Sequence, residues 1–237
     1  MKVLLSPVTS TSRLRGCKPL GIVTSTILWI LALVALVPAI SWSATYFVKT
    51  TGNDASTGLS WALSKKTIQA AVNAASGTDE IWVAAGTYQE RVTHKSGVLL
   101  YGGFAGTEAL LTQRDYVVNV TIIDANLLGI VVTVPGAAVA ATSVDGFTIR
   151  NGRGANGGGI KCDTAGLTVA NCIVRNNAST STGGGIYCKS STFSLTNTSF
   201  ISNSASSNGG GLYCESSSPT VSGCSFTSNS SSNGAGI

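Results

Sequence analysis

Three charged residues of alternating sign, Asp163, Lys189 and Glu215, follow one another at intervals of 26 residues. Lys161, Tyr187 and Tyr213 keep the same interval two positions earlier. Carboxylates and an ammonium in one row can bind hydroxyl groups or move protons. Tyrosines beside them offer flat faces with a polar tip. Three readings fit. The row is a solvated ladder of ion pairs, each worth little, with tyrosines as ordinary strand residues. Or it is a shallow carbohydrate-binding platform made of Tyr187, Tyr213, Lys189, Asp163 and Glu215. Or Lys189 and a neighbouring carboxylate form a catalytic pair. Beyond residue 150, Asp163 and Glu215 are the only acids, and the single histidine, His94, lies far upstream. No catalytic residue and no cofactor is assigned.

The cysteines repeat too. Cys162, Cys188 and Cys214 form one column, and Cys172 and Cys224 a second, interrupted by Thr198. They read either as buried thiols acting as small hydrophobes or as partners for a disulfide between stacked neighbours. No Cys-x-x-Cys spacing or partnering histidine accompanies them, so no metal site is assigned. The stretch "NDASTG" (53–58) reads as an Asx-rich turn or as a calcium loop.

What must position these columns is a repeat. "GGGIKC", "GGGIYC" and "GGGLYC" place Ile160, Ile186 and Leu212 in step, and Ile237 follows after "GAG". Further columns are Val169, Leu195 and Val221; Val174, Phe200 and Phe226; and Asn177, Asn203 and Asn229. A fixed period in the range of 20 to 50 residues marks a solenoid. Within each unit "LTVANC", "FSLTNT" and "PTVSGC" alternate apolar and polar residues, as strands do. The predicted unit is one coil of about three short strands, stacked in parallel at about 4.8 Å so that equal positions lie above one another. The asparagines then form a hydrogen-bonded ladder, and the glycines serve the sharp corner. Ahead of the repeats, "TIQAAVNAAS" carries Ile68, Ala71, Val72 and Ala75 at helical spacing, which predicts a short helix capping the first coil. Strand-like runs such as "EIWVAAGTY", "VLLYGGF" and "VTIIDAN" follow it.

"YFVKTTGNDASTGLSW", "TIQAAV", "IWVAAGTY" and "LYGGFAGTE" resemble the opening of bacterial right-handed parallel β-helix surface proteins, of the pectate-lyase-like fold. The "GGGI…Phe-x-x-Asn" units, with "FISN" and "FTSN", resemble the repeats of polymorphic outer membrane proteins. The first unit departs from that pattern with "VRNN". The resemblance spans roughly residues 45 to 237. It implies secretion and display at the cell surface, often with a C-terminal anchoring module. The same fold also carries polysaccharide lyases and glycosidases, so a carbohydrate-active enzyme is the rival function.

Composition bounds the remaining classes. The formal charge of +5 is concentrated in the first 20 residues; from Ala44 onward 11 basic residues face 10 acidic ones, a net charge of +1. No basic patch is left for nucleic acid. Residues 1–43 read as a signal peptide, with a basic start, the uncharged run "GIVTSTILWILALVALVPAI" and small residues before Ala44; an uncleaved membrane anchor is the alternative. Residues 44–150 are expected to form the cap and irregular first coils, and residues 151–237 the regular coils. The expected architecture is all-β, a right-handed parallel β-helix of about 26 residues per coil. The expected partner is a cell-surface or matrix polysaccharide. Contact with a membrane is expected only through export or a further C-terminal module. The open last coil suggests a longer protein, or end-to-end self-association.

Overall fold

The computed structural model describes residues 43–136 and 142–237, so the predicted leader lies, except for Ser43, outside the described residues. Among the described residues every strand pairing is parallel, and the strands fall into four stacked sheets. Seven strands make the longest sheet, from Thr45–Val48 to Thr220–Ser222. Six strands from Gly86–Gln89 to Ser225–Thr227 make the second, and five from Val92–Thr93 to Leu212–Glu215 the third. A three-stranded sheet of Arg153–Asn156, Ala178–Thr182 and Ser204–Ala205 closes the regular coils. The protein is a β-solenoid with roughly 26 residues per coil. A regular coil visits four sheets rather than the expected three, because "ASTST" pairs with its neighbours although it has no apolar alternation.

The columns read from the sequence are the registers of the sheets. Ile160 pairs with Ile186 and Ile186 with Leu212. Val174 pairs with Phe200 and Phe200 with Phe226, whose rings stack 4.6 Å apart at 8°. The column Ile81, Leu100, Val144, Val169 and Leu195 runs through the less regular coils without a break, and all five residues are fully buried. Each layer therefore sets like on like, so apolar side chains interdigitate along one continuous core. The helix α1, Ile68–Ala74, forms where the spacing placed it. Thr67 caps it by accepting from the Ala70 N–H at 3.2 Å, and Ile68, Ala71 and Val72 turn into the core.

The glycine triplet has two separate causes. Gly183 has a φ of +67°, the left-handed region that costs most residues a clash. Gly184 is tight for a different reason, since a Cβ there would meet the carbonyl oxygens of Ser204 and Gly210. The corner at Gly183 is, however, only one of four left-handed corners per coil. The others are Asn151, Asn176, Ser202 and Ser228; Gly146, Asn171, Asn197 and Gly223; and Thr164, Ser190 and Ser216. Asn and Ser tolerate this region through local hydrogen bonding; a β-branched residue does not. Thr164, at a φ of +52°, is the costly member. Replacing Thr164 by Asn is expected to stabilise the fold by about 1 kcal/mol. Urea denaturation compares the two chains, and an unchanged or lowered midpoint would show that the corner carries no strain.

His94 is fully buried and its tautomer is fixed by its partners. Nδ1 accepts from the Lys95 N–H at 2.9 Å, and Nε2 lies 3.0 Å from the Ser143 carbonyl, to which it must donate. Burial lowers the imidazole below its ordinary range, against the opposing effect of these hydrogen bonds. The unfolded chain then takes up a proton near pH 6.5 that the folded chain refuses. Stability from His94 is complete above that pH and falls as pH drops below it, by at most about 1.4 kcal/mol per pH unit until the folded-state value is reached. Glu90, raised by burial, works in the opposite direction at lower pH. The difference between the parent and His94→Gln isolates the histidine. The parent should lose stability more steeply between pH 6.5 and 5, and parallel profiles would contradict the assignment.

Candidate functional site: the outer face of the five-stranded sheet

Strands of the five-stranded sheet alternate inward and outward residues, so their outward positions form rows along the solenoid. Thr93, Thr133, Lys161, Tyr187 and Tyr213 make one row in direct register. Asp163, Lys189 and Glu215 make the next. The five residues proposed from the sequence therefore share one face.

They are not equivalent. Lys189 Nζ lies 2.8 Å from Glu215 Oε1 in an ion pair whose side chains are 43% and 39% exposed. The Tyr187 hydroxyl donates to the other carboxylate oxygen, Oε2, at 2.8 Å. The rings of Tyr187 and Tyr213 lie 5.9 Å apart at 15°. Tyr187 itself is only 4% exposed, however. It is enclosed by its neighbours in the row and by the glycine corners, since Gly157 and Gly183 both pass close beside it. It supports Tyr213 and holds Glu215; it does not offer a free stacking face. Tyr213, which is half-buried, and the Lys189–Glu215 pair are what the face presents. Asp163 is the register partner of Lys189, but the lysine turns to Glu215 instead.

The electrostatics fix the protonation states. Lys189 and the Tyr187 hydroxyl hold Glu215 below the usual carboxylate range. Glu215 holds Lys189 above the usual amine range. Burial, then the hydrogen bond to Glu215, pushes the Tyr187 hydroxyl upward. All three groups keep one charge state across neutral pH, whereas a general acid or base works best when it titrates near the operating pH. The cluster is built to accept and donate fixed hydrogen bonds.

Two clefts adjoin the face. One of about 350 Å³ is lined by Tyr213 with Asn208, Gly209, Asn233, Gly234 and Ile237. A larger one of about 550 Å³ lies at the other end of the row, where Thr93 and Thr133 meet Glu90, Arg91, Asn126 and Leu128. Glu90 is engaged there, its carboxylate accepting from the Ile68 and Gln69 N–H groups at the start of α1.

The remaining sequence candidates are structural. Asn53 closes a turn by accepting from the Ala55 N–H at 3.0 Å, and both Asp54 carboxylate oxygens are taken by Lys66 and Thr67. "NDASTG" is thus a turn that anchors the entry to α1. No group of three or more His, Cys, Asp or Glu side chains suited to a metal occurs among the described residues. Sequence reasoning missed a second aromatic cluster outside the main core. Trp82 and Phe104 stack 4.7 Å apart at 11°, with Phe47 edge-on to Trp82 and to Trp61. The Trp61 indole donates to the Glu108 carbonyl at 2.9 Å, so the 105–120 loop covers this cluster. Strand parity held the signal, since Trp82 is flanked by the inward-facing Ile81 and Val83.

Fold and face define a parallel β-solenoid that presents rows of side chains at a one-coil spacing. No family model, no curated protein and no solved structure matches the chain.

Proposed function

We propose that this chain is an exported, surface-displayed structural module that contacts carbohydrate weakly along the five-stranded face. The observation that carries this reading is the row from Thr93 through Lys161 to Tyr213. It runs from the polar cleft at Glu90 and Asn126 to the cleft beside Tyr213, over roughly 19 Å or four strand spacings, and so suits an extended oligosaccharide rather than a compact ligand. Hydroxyl, amide and fixed-charge groups line it, with one accessible aromatic ring at its end. The resemblance to polymorphic outer membrane protein repeats supports export and display. The stable charge states of Lys189 and Glu215 favour contact over proton transfer.

Affinity electrophoresis of the parent through gels containing pectin, alginate or other matrix polysaccharides tests the reading. Retardation is expected with at least one polymer. Tyr213→Ser should abolish it while circular dichroism stays unchanged, because the ring lies at the surface. Tyr187→Phe should weaken it only a few-fold, since the ring stays and one hydrogen bond to Glu215 is lost. Equal retardation of the parent and Tyr213→Ser would reject the face. Steady release of unsaturated sugars would reject a contact role in favour of a lyase.

A further inference from the structure

Directly beneath the Tyr187–Tyr213 pair, Cys188 and Cys214 occupy the same inward position on neighbouring strands, in direct register. Their sulfurs stand 2.7 Å apart, closer than two unbonded sulfurs pack. The other cysteines behave differently. Cys162, one coil earlier in the same column, turns to the Ala165 carbonyl and the Ser191 hydroxyl. Cys172 points at the Ala170 carbonyl at 3.1 Å. Thr198 separates the Cys172 and Cys224 layers, and its hydroxyl accepts from the Cys172 N–H. Among the described cysteines, this one pair has its sulfurs in contact.

We propose that Cys188 and Cys214 are a redox modification site, closed into an inter-coil disulfide by thiol–disulfide exchange with a small disulfide or a disulfide-bearing protein. The two sulfurs share one hydrogen bond, which favours the thiolate at Cys214 and disfavours it at Cys188. That thiolate attacks one sulfur of the exchange partner, whose S–S bond breaks and releases one thiolate. Cys188 then gives up its proton and attacks the Cys214 sulfur of the mixed disulfide. The bond from Cys214 to the partner breaks, and the second partner thiolate leaves. Both protein thiols are oxidised, two electrons pass to the partner, and its two thiolates take up the two protons.

The bond spans 26 residues, one full coil. It fixes the separation of the two strands that carry Tyr187 and Lys189 on one side and Tyr213 and Glu215 on the other. The outer pair is then held at one spacing by a covalent link on the inner face of the same strands.

The test is refolding of the reduced, denatured full chain in a mixture of oxidised and reduced glutathione. The product is expected to weigh about 2 Da less than the reduced chain, two hydrogens lost, with a peptide link between Cys188 and Cys214. Its Tm should lie about 10 °C above that of the same protein in dithiothreitol. Cys214→Ser should show neither the mass loss nor the redox-sensitive Tm, whereas Cys162→Ser should keep both. A chain that folds without losing hydrogens, a link that joins other cysteines, or a Cys188–Cys214 link with an unchanged Tm would overturn the proposal.

Discussion

A chain lacking residues 183–208 is expected to fold, whereas a chain lacking only residues 183–195 is not. The first deletion removes one complete coil. Thr182 already pairs in register with Asn208 across the coil to be removed, so Gly209 can follow Thr182 directly. Leu212 then stacks on Ile160, Phe226 on Val174, and Asn229 takes the place of Asn203. All four left-handed corners are preserved, with Ser216, Gly223 and Ser228 replacing Ser190, Asn197 and Ser202. A nearest-neighbour solenoid should lose only one coil's intrinsic and interface terms. The shorter deletion shifts everything downstream by half a coil. It sends Ser and Gly into the columns of Ile, Leu and Phe and turns Phe200 and Phe226 outward. Thermal melts followed by far-ultraviolet circular dichroism should show a cooperative transition for the first and none for the second. Equal loss in both would reject a coil of this length.

The largest effect of a single substitution is expected at Asn203, whose side chain is completely buried. Its Oδ1 accepts from the Asn177 N–H and from Asn177 Nδ2, at 3.1 and 3.0 Å. Its Nδ2 donates to the Val174 carbonyl at 2.8 Å and to Asn229 Oδ1 at 3.0 Å. Asn203→Ala takes this partner from the buried Asn177 N–H and the Val174 carbonyl, each worth about 1–3 kcal/mol when orphaned, while Asn177 Nδ2 keeps the Ile149 carbonyl and Asn229 Oδ1 keeps the Asn203 N–H. A loss of roughly 3–5 kcal/mol follows, allowing for relaxation around the site. Leucine, which fills the space but makes no hydrogen bond, should be no better. Ser225→Ala removes an exposed 3.0 Å bond to Ser199 and should cost under about 0.5 kcal/mol. Urea unfolding ranks the three variants. A loss below about 1 kcal/mol for Asn203→Ala would mean that the ladder merely fills space.

The inward columns were legible because one residue type recurs at one interval, and a parallel stack turns that interval into contact. Even the Asn ladder followed from the repeat, since stacking sets each buried amide against an identical neighbour. The corners were not legible. Ser202, Thr164 and Asn197 occupy left-handed backbone that local propensity assigns to glycine first. They are held there by the ladders on either side, through bonds such as Asn176 N–H to the Ile201 carbonyl. "EIWVAAGTY" read as one strand-like run, yet it divides into Glu80–Ala84 and Gly86–Gln89 on two sheets. A turn at Gly86, with a φ of +146°, makes the division. At the outer face, spacing brought Tyr187, Lys189, Tyr213 and Glu215 together correctly. The burial of Tyr187 depends on how closely the neighbouring glycine corner passes, and strand parity does not report that distance.

The most direct test of the stacking that creates this face is a set of electron-spin distances measured along one outward column. Thr45, Glu80, Leu99, Ser143, Thr168, Ser194 and Thr220 lie in successive register on the seven-stranded sheet. Spin labels would be attached at Thr45 and, in turn, at Thr168, Ser194 and Thr220, by chemistry that spares the cysteines. Separations of about 19, 24 and 29 Å are expected, rising by one strand spacing for every 26 residues added. Separations that do not rise in such even steps would contradict the solenoid and the binding face built on it.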